Sequence, residues 1–377
     1  MKNFVHANSS SLIETLKELC RIPAPSHLEH ARAEYCKKWL ESVGAEGVYI
    51  DDALNVIYPI NCDGCSDITV FVAHTDTVFP DREPMPCAED GEFIRSPGVG
   101  DDTASVSVLL HTAKYFAEHP KEAPRGVMLV CNSCEEGLGN LKGTRQLFRD
   151  HEGRIAQFIS FDGVLGAIVD RSVGSHRYEV EAVTAGGHSY GKFGSPNAIA
   201  ELARVINDIY SIEVPRIGDS KTTYNVGEVS GGTSVNTIAQ SARMLCEYRS
   251  DDEGCLSVMQ AHFERIFSKA RERGVDLRVM RIGERPCMGK VDLARVERLT
   301  EICRSILEDA AGVTVKTTSG STDCNIPLSL GIPALCIGVY HGGGAHTREE
   351  WVEKASLPIG LEVAIRTVID VTREIAS

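Results

Sequence analysis

The chain has 377 residues and 42% hydrophobic content, enough for two or three domains of about 150 residues and a sizeable core. Lys and Arg number 39 against 53 Asp and Glu, a net charge of −14, which argues against a phosphate-backbone partner and predicts no nucleic-acid binding. The longest apolar stretches, such as Ile332–Tyr340, fall short of the roughly 18 residues that span a bilayer, so no membrane association is expected.

Residues Met1–Ser9 contain no continuous apolar segment of a secretory signal. The thirteen cysteines, odd in number and without framework spacing, suit a reducing compartment, and a cytoplasmic protein is expected. Two Cys-x-x-Cys pairs, Cys62/Cys65 and Cys131/Cys134, raise the question of a structural zinc. Neither sits in a compact zinc ribbon, and the expected role is that of small buried hydrophobes.

In chain order, Ser11–Val43 places Leu12, Leu16, Leu19, Tyr35 and Leu40 at helical spacing, interrupted by Ile22-Pro23-Ala24-Pro25. Strand-like runs follow at Ile68–Ala73, Gly126–Cys131, Gln157–Phe161 and Ala334–Val339, with a helix over Thr103–Glu118. This alternation predicts an α/β fold with a mostly parallel sheet and helices on both faces.

From about Ser172 the pattern changes. A strand with alternating faces, His176–Val183, precedes a helix with Ser195 as its cap, Pro196 as its first residue and Ile199, Leu202, Ile206 and Ile209 on one face. Strands Thr222–Ser230 and Ala239–Tyr248 come next, then a helix carrying Leu256, Met259, Phe263, Ile266 and Phe267, and a last strand, Val275–Ile282. That β-α-β-β-α-β series predicts a ferredoxin-like α+β insertion. The βα pattern resumes with a helix near Val291–Glu308, so residues 1–171 and 286–377 are expected to form one domain around an inserted domain of residues 172–285.

Four apolar runs lead to residue types that ligate metals. They deliver His74-Thr75-Asp76, Glu135-Glu136, Asp162-Gly163 and, through Gly342-Gly343-Gly344, His346; Gly98-Val99-Gly100-Asp101-Asp102 precedes the helix between the first two. In open α/β sheets the ligand crevice lies beyond the carboxyl ends of the strands, where such side chains can converge. Each motif has an ordinary explanation: a satisfied histidine, a helix cap, a solvated helix start. The set exceeds what caps require, and imidazole plus carboxylate without thiolate suits two divalent ions, zinc first, with cobalt or manganese as alternatives. Two such ions about 4 Å apart activate water and polarise a carbonyl. The adjacent Glu135 and Glu136 can then divide the work, one ligating and one moving a proton.

As an ordered set these motifs resemble the co-catalytic metallopeptidase family of peptidase T (tripeptidase), carboxypeptidase G, acetylornithine deacetylase and succinyl-diaminopimelate desuccinylase, over nearly the whole chain. The resemblance implies His74 and Asp162 as terminal ligands of one metal, Glu136 and His346 as those of the other, and Asp101 as the bridge. It implies that Asp76 orients the His74 ring and that Glu135 is the general base. In the inserted domain, Gly186-Gly187-His188-Ser189 matches the family's lid histidine, His188, which reaches the partner subunit of a homodimer formed through that domain. Asn236 and Arg249 match substrate-binding positions, a guanidinium being suited to a substrate carboxylate; Gly320 is a further match. Asp rather than Glu at position 162 points to the peptidase T-like branch and a short peptide substrate. Thr103, where many members have lysine, leaves an N-acyl-amino-acid amidohydrolase or a carboxypeptidase open.

A rival pattern exists. Gly187-His188-Ser189-Tyr190-Gly191 matches the nucleophile elbow, and Ser189, Asp323 and His346 follow in α/β-hydrolase order. That reading requires a strand running through the elbow into a helix, and it leaves His74, Asp101, Glu135, Glu136 and Asp162 without work. A binding protein that kept the fold without the chemistry would lack a base or a ligand, and none is missing.

Overall fold

The apolar runs become the centre of a sheet, because β-branched and aromatic side chains fill a pleated surface covered on both faces. The computed structural model describes residues 1–122 and 126–375. They divide into two compact units, Met1–Ser172 together with Gly289–Ser377, and Val173–Met288.

The first unit opens with α1 (Lys2–Cys20), α2 (His30–Ser42), β1 (Tyr49–Ile50), β2 (Val56–Ile60), β3 (Ile68–His74), β4 (Ala88–Asp90) and β5 (Phe93–Arg95). Then come α3 (Ser105–Glu118), β6 (Val127–Asn132), α4 (Lys142–Asp150), β7 (Ile155–Phe161) and β8 (Ala167–Ser172). The second unit holds β9 (Gly174–Val183), β10 (Gly187–His188), α5 (Ala198–Tyr210), β11 (Thr222–Gly231), β12 (Thr237–Ile238), β13 (Ser241–Ser250), α6 (Glu253–Glu272) and β14 (Asp276–Arg285). The chain returns to the first unit with α7 (Leu293–Ala311), β15 (Lys316–Gly320), α8 (Asn325–Ser329), β16 (Ala334–Ile337), β17 (Gly342–Gly343), β18 (Trp351–Glu353) and α9 (Ser356–Ile375).

Eight strands form the main sheet in the order β1-β2-β6-β3-β7-β16-β8-β15. Its centre is parallel: β3 pairs with β6 and β7, and β7 with β16. Every residue of β3 and β6 is buried. In the β3–β6 register His74 stands opposite Asn132, so the segments leaving β3 and β6 emerge side by side, and Asp162 follows directly from neighbouring β7. A smaller sheet, β17-β18-β5-β4, carries the residue 344–350 loop between β17 and β18. Its strands are two or three residues long and half-exposed, too short and polar to leave a periodic signal.

The second unit is the antiparallel sheet β11-β13-β9-β14, the strand order of a ferredoxin-like fold. Tyr178, Val180, Ala182, Met244, Cys246 and Tyr248 meet Leu202 and Val205 of α5 and Phe263 and Phe267 of α6 in one core. The cap of α5 is Asn197, whose side chain accepts from Ile199 N and Ala200 N at 3.0 and 3.4 Å. Ser195 and Pro196 therefore precede the cap rather than starting the helix. An asparagine can cap as well as a serine, and it wins here by lying two residues closer to the buried Ala198.

All thirteen cysteines are free. Cys131 and Cys134 are buried, whereas Cys62 and Cys65 are half-buried, correcting the expectation for that pair: they lie in the connection from β2 to β3, where the Cys62 thiol reaches the Val127 carbonyl at 3.3 Å. No helix among the described residues is long and apolar enough to cross a membrane.

Candidate metal centre

Two overlapping triads of ligand types form at the carboxyl ends of the central strands. The ligand atoms of His74, Asp101 and Asp162 lie within 4.8 Å of one another, and so do those of Asp101, Glu136 and His346. Asp101 belongs to both. Its Oδ1 is 3.1 Å from His74 Nε2 and its Oδ2 is 3.0 Å from His346 Nε2, so a single carboxylate spans two imidazoles.

The backbone explains how Asp101 arrives there. Gly98 adopts φ +69°, a conformation open to glycine at no steric cost, and the chain is extended at Asp101 before α3 begins. Asp102, joined to Asp101 by a cis peptide bond, turns the other way and accepts the His74 main-chain N–H at 2.9 Å.

Asp76 lies beneath both glutamates. Its Oδ1 accepts the N–H of Glu135 and its Oδ2 that of Glu136, each at 3.0 Å, and Ser26 Oγ donates to Oδ2 at 2.6 Å. The His74 ring is held mainly by a different atom of the same residue. Its Nδ1 is 3.0 Å from the Asp76 main-chain carbonyl, and 3.5 Å from the carboxylate. A carbonyl can only accept, so Nδ1 keeps a proton, and Nε2 is the nitrogen that donates to Asp101 when the ring is charged and offers a lone pair to a cation when it is not.

Electrostatics make a cation the natural occupant. Carboxylates of Asp76, Asp101, Asp102, Glu135, Glu136 and Asp162 crowd two imidazoles. Burial and the neighbouring Asp101, Glu135 and Glu136 push Asp162 well above the usual carboxylate range. Burial also raises Glu136. The Asp101 and Glu136 carboxylates drive His346 up to about 10. Burial opposes a charged His74, but Asp102, Asp101 and Asp76 outweigh it and hold the ring well above its ordinary value. Glu136 Oε1 is buried without a hydrogen-bond partner among the described residues, 3.3 Å from His346 Nε2. An unsatisfied buried carboxylate oxygen and protons held by carboxylate repulsion are what divalent ions would relieve. The donor set of imidazole and carboxylate oxygen fits zinc, manganese or cobalt.

The remaining candidates are placed as follows. Gly320 ends β15, where an added Cβ would come 3.1 Å from Val169. His188, in the second unit, faces Thr237 on the two-stranded ribbon β10–β12, and its exposed ring accepts from Gly191 N at 3.3 Å. Asn236 is exposed beside it, its carbonyl accepting Ser189 N at 2.9 Å. Arg249 grips Glu247 with Nε and a terminal nitrogen at 2.7 and 3.0 Å, and Arg177 reaches the same carboxylate at 3.2 Å. The Ser189 triad fails on its other two members: Asp323 accepts from Asn132 at 2.6 Å and from Thr144, while His346 faces Asp101 and Glu136.

Arg32 and Glu350 have no place in the sequence motifs, and Asp323 enters there only in the rival triad. Arg32 is fully buried and donates to the carbonyls of Leu19, Ile22 and Thr75 and to Thr103 Oγ1, fixing the strand exit that carries Asp76. Asp323 is buried behind Glu135, and burial with that neighbouring charge pushes it up to about 7. Glu350 accepts the N–H groups of Gly98, Gly100 and Asp101. Its one legible signal was the Glu349-Glu350 pair, four residues beyond His346.

Comparison with known proteins identifies the family and the fold. Residues 70–370 match the model of peptidase family M20/M25/M40. Succinyl-diaminopimelate desuccinylase of Corynebacterium glutamicum is 22% identical over 342 residues, covering 89% of this chain and 89% of its own. A tripeptidase from Staphylococcus aureus superposes with a TM-score of 0.74 at 21% identity, covering 97% of this chain and 99% of that one. A dinuclear metal binding peptidase from Bacillus subtilis gives 0.67 at 16% identity, covering 98% and 99%.

Proposed function

The chain belongs to peptidase family M20/M25/M40, and on that premise we propose that it is a two-metal, zinc-dependent exopeptidase of the tripeptidase-like branch, acting on short peptides. The observation that carries this reading is the Asp101 carboxylate, 3.1 and 3.0 Å from two imidazoles with Asp162 and Glu136 on either side.

In this reading His74, Asp101 and Asp162 hold one ion, and Asp101, Glu136 and His346 the other. When bound, the ions supply Lewis acidity, polarising the scissile carbonyl and acidifying a water. Glu135 takes the proton from that water and delivers it to the leaving amine. Asp76 fixes the direction of Glu135 and Glu136 through their main-chain N–H groups, and its carbonyl sets the tautomer of His74. His188 has its Nδ1 engaged as an acceptor, which leaves Nε2–H as a donor for the developing oxyanion. Asn236, Arg249 and Gly320 bind the substrate. For Arg249 this means exchanging the Glu247 carboxylate for that of the substrate.

The second unit is read as the dimerisation unit. Support comes from the family resemblance and from the open edge of β11, where Val229 is 61% exposed beside Ile199 at 47%. Thirteen free cysteines support a reducing, cytoplasmic location.

A second reading is favoured by the desuccinylase relative, similar along most of the chain: cleavage of an N-acyl amino acid at the same centre. A metal-reconstituted activity screen separates the two. Hydrolysis of di- and tripeptides with free N-termini, above that of N-acetyl and N-succinyl amino acids, supports the peptidase; the reverse order overturns it.

A further inference from the structure

The segment that presents Asp101, Val99–Ala104, is a single π-helical turn broken by non-helical backbone at Asp101 and Asp102. Residues 98–101 carry main-chain N–H groups that a helix or sheet would normally satisfy, yet three of them point at one side chain. Glu350 Oε2 accepts Gly98 N at 2.7 Å, and Oε1 accepts Gly100 N at 3.0 Å and Asp101 N at 2.7 Å. Its carbonyl also accepts Ser96 N at 3.2 Å. Glu350 is 1% exposed.

The fit is close. A Cβ on Gly100 would come 2.7 Å from Glu350 Oε1 and 2.8 Å from the Tyr340 ring. Glu350 is equally well anchored on its own side. The next residue, Trp351, starts β18, pairing with Gly343 of β17 and Arg95 of β5. The loop between β17 and β18 carries His346. Glu350 therefore stands at the base of the His346 loop and grips the Asp101 loop, and those two loops supply ligand atoms 3.0 Å apart.

We propose that Glu350 is a positioning residue of the two-metal centre, clamping the Gly98–Asp101 loop to the base of the His346 loop and so fixing the separation of Asp101 from His346. The proposal rests on the metallopeptidase reading above. Because Asp101 is the shared ligand, loosening the clamp weakens both sites rather than one. Supporting partners of metal ligands are worth about 10- to 100-fold in affinity.

The test is a zinc titration of apo-protein against a chromophoric chelator, with bound zinc counted by elemental analysis and apo-protein melting followed by circular dichroism. Wild-type protein in the same titration is expected to bind two zinc ions; if it binds none, the metallopeptidase reading itself fails, before any variant is compared. For Glu350→Gln, which keeps size but replaces one acceptor oxygen with an amide donor facing one or two of the three N–H groups, folded apo-protein is expected with zinc affinity reduced tenfold or more at both sites. Gly100→Ala, which pushes on the clamp from the loop side, is expected to lower zinc affinity in the same way. Glu350→Asp, which keeps the charge, is expected to recover part of the loss. Wild-type zinc affinity in folded Glu350→Gln or Gly100→Ala overturns the proposal. So does zinc loss confined to variants whose apo form has lost its cooperative melt, which would make Glu350 a residue of the scaffold alone.

Discussion

The main-chain N–H of Glu135 donates to Asp76 Oδ1 at 3.0 Å. The base proposed for proton transfer is thus aimed by a carboxylate that lies two residues beyond the first histidine of the centre. The other oxygen of Asp76 holds Glu136, so one side chain sets both members of the glutamate pair. Asp76→Asn replaces one acceptor with a donor facing an N–H group. We expect turnover to fall about 10- to 100-fold, with a smaller loss of bound metal, measured by steady-state kinetics beside elemental analysis. Unchanged turnover contradicts this role.

Metal uptake should release protons. In the metal-free centre His346 is raised to about 10, so it is protonated near neutral pH, and His74 and Asp162 are shifted in the same direction, toward their protonated forms. A cation displaces those protons, and affinity must rise with pH. Titration calorimetry in buffers of different ionisation enthalpy is expected to give net release of at least one proton at pH 7; a buffer-independent enthalpy contradicts the ligand set.

His188 lies in the second unit, remote in sequence from every proposed ligand. His188→Ala is expected to lower turnover by about 100-fold, the range for loss of one oxyanion donor, while bound metal stays at the wild-type level. Metal loss in that variant would move His188 out of the lid role. Ser189→Ala should leave turnover near wild type, since Asp323 and His346 are engaged elsewhere.

Away from the centre, His111 is buried beside Trp39, with its Nε2 3.1 Å from Thr15 Oγ1. Burial lowers it to about 3. Its folded pKa lies below the unfolded value near 6.5, so the unfolded chain binds the extra proton between those limits and stability falls as pH drops through that window. The slope expected from this residue is about 1 kcal/mol per pH unit. His111→Leu should flatten the acid limb of a denaturation–pH profile by that amount; an unaltered limb contradicts it.

What the sequence made legible follows from the range over which each feature is encoded. The central strands carry unbroken apolar runs because both faces of β3 and β6 are buried, and ligand residue types at their ends are visible as departures from those runs. The first helix starts at Lys2, well before Ser11 where the periodicity becomes obvious, since only Val5 and Asn8 are buried ahead of Leu12. The position of the α5 cap turned on a choice between two good capping residues two positions apart. The supporting roles of Glu350, Arg32 and Asp323, the last visible only as a triad candidate, were hidden for another reason. Each is one polar residue in an unremarkable stretch, and its role comes from partners such as Asp101, Asn132 and Thr75 that only tertiary folding brings near.

The division of labour between Glu135 and Glu136 is tested most directly by Glu135→Gln, assayed for bound zinc and for tripeptide turnover in one preparation. The account predicts two zinc ions retained and turnover reduced by about 10² to 10⁴, the contribution of a general base. Wild-type turnover, or loss of zinc in parallel with activity, contradicts it.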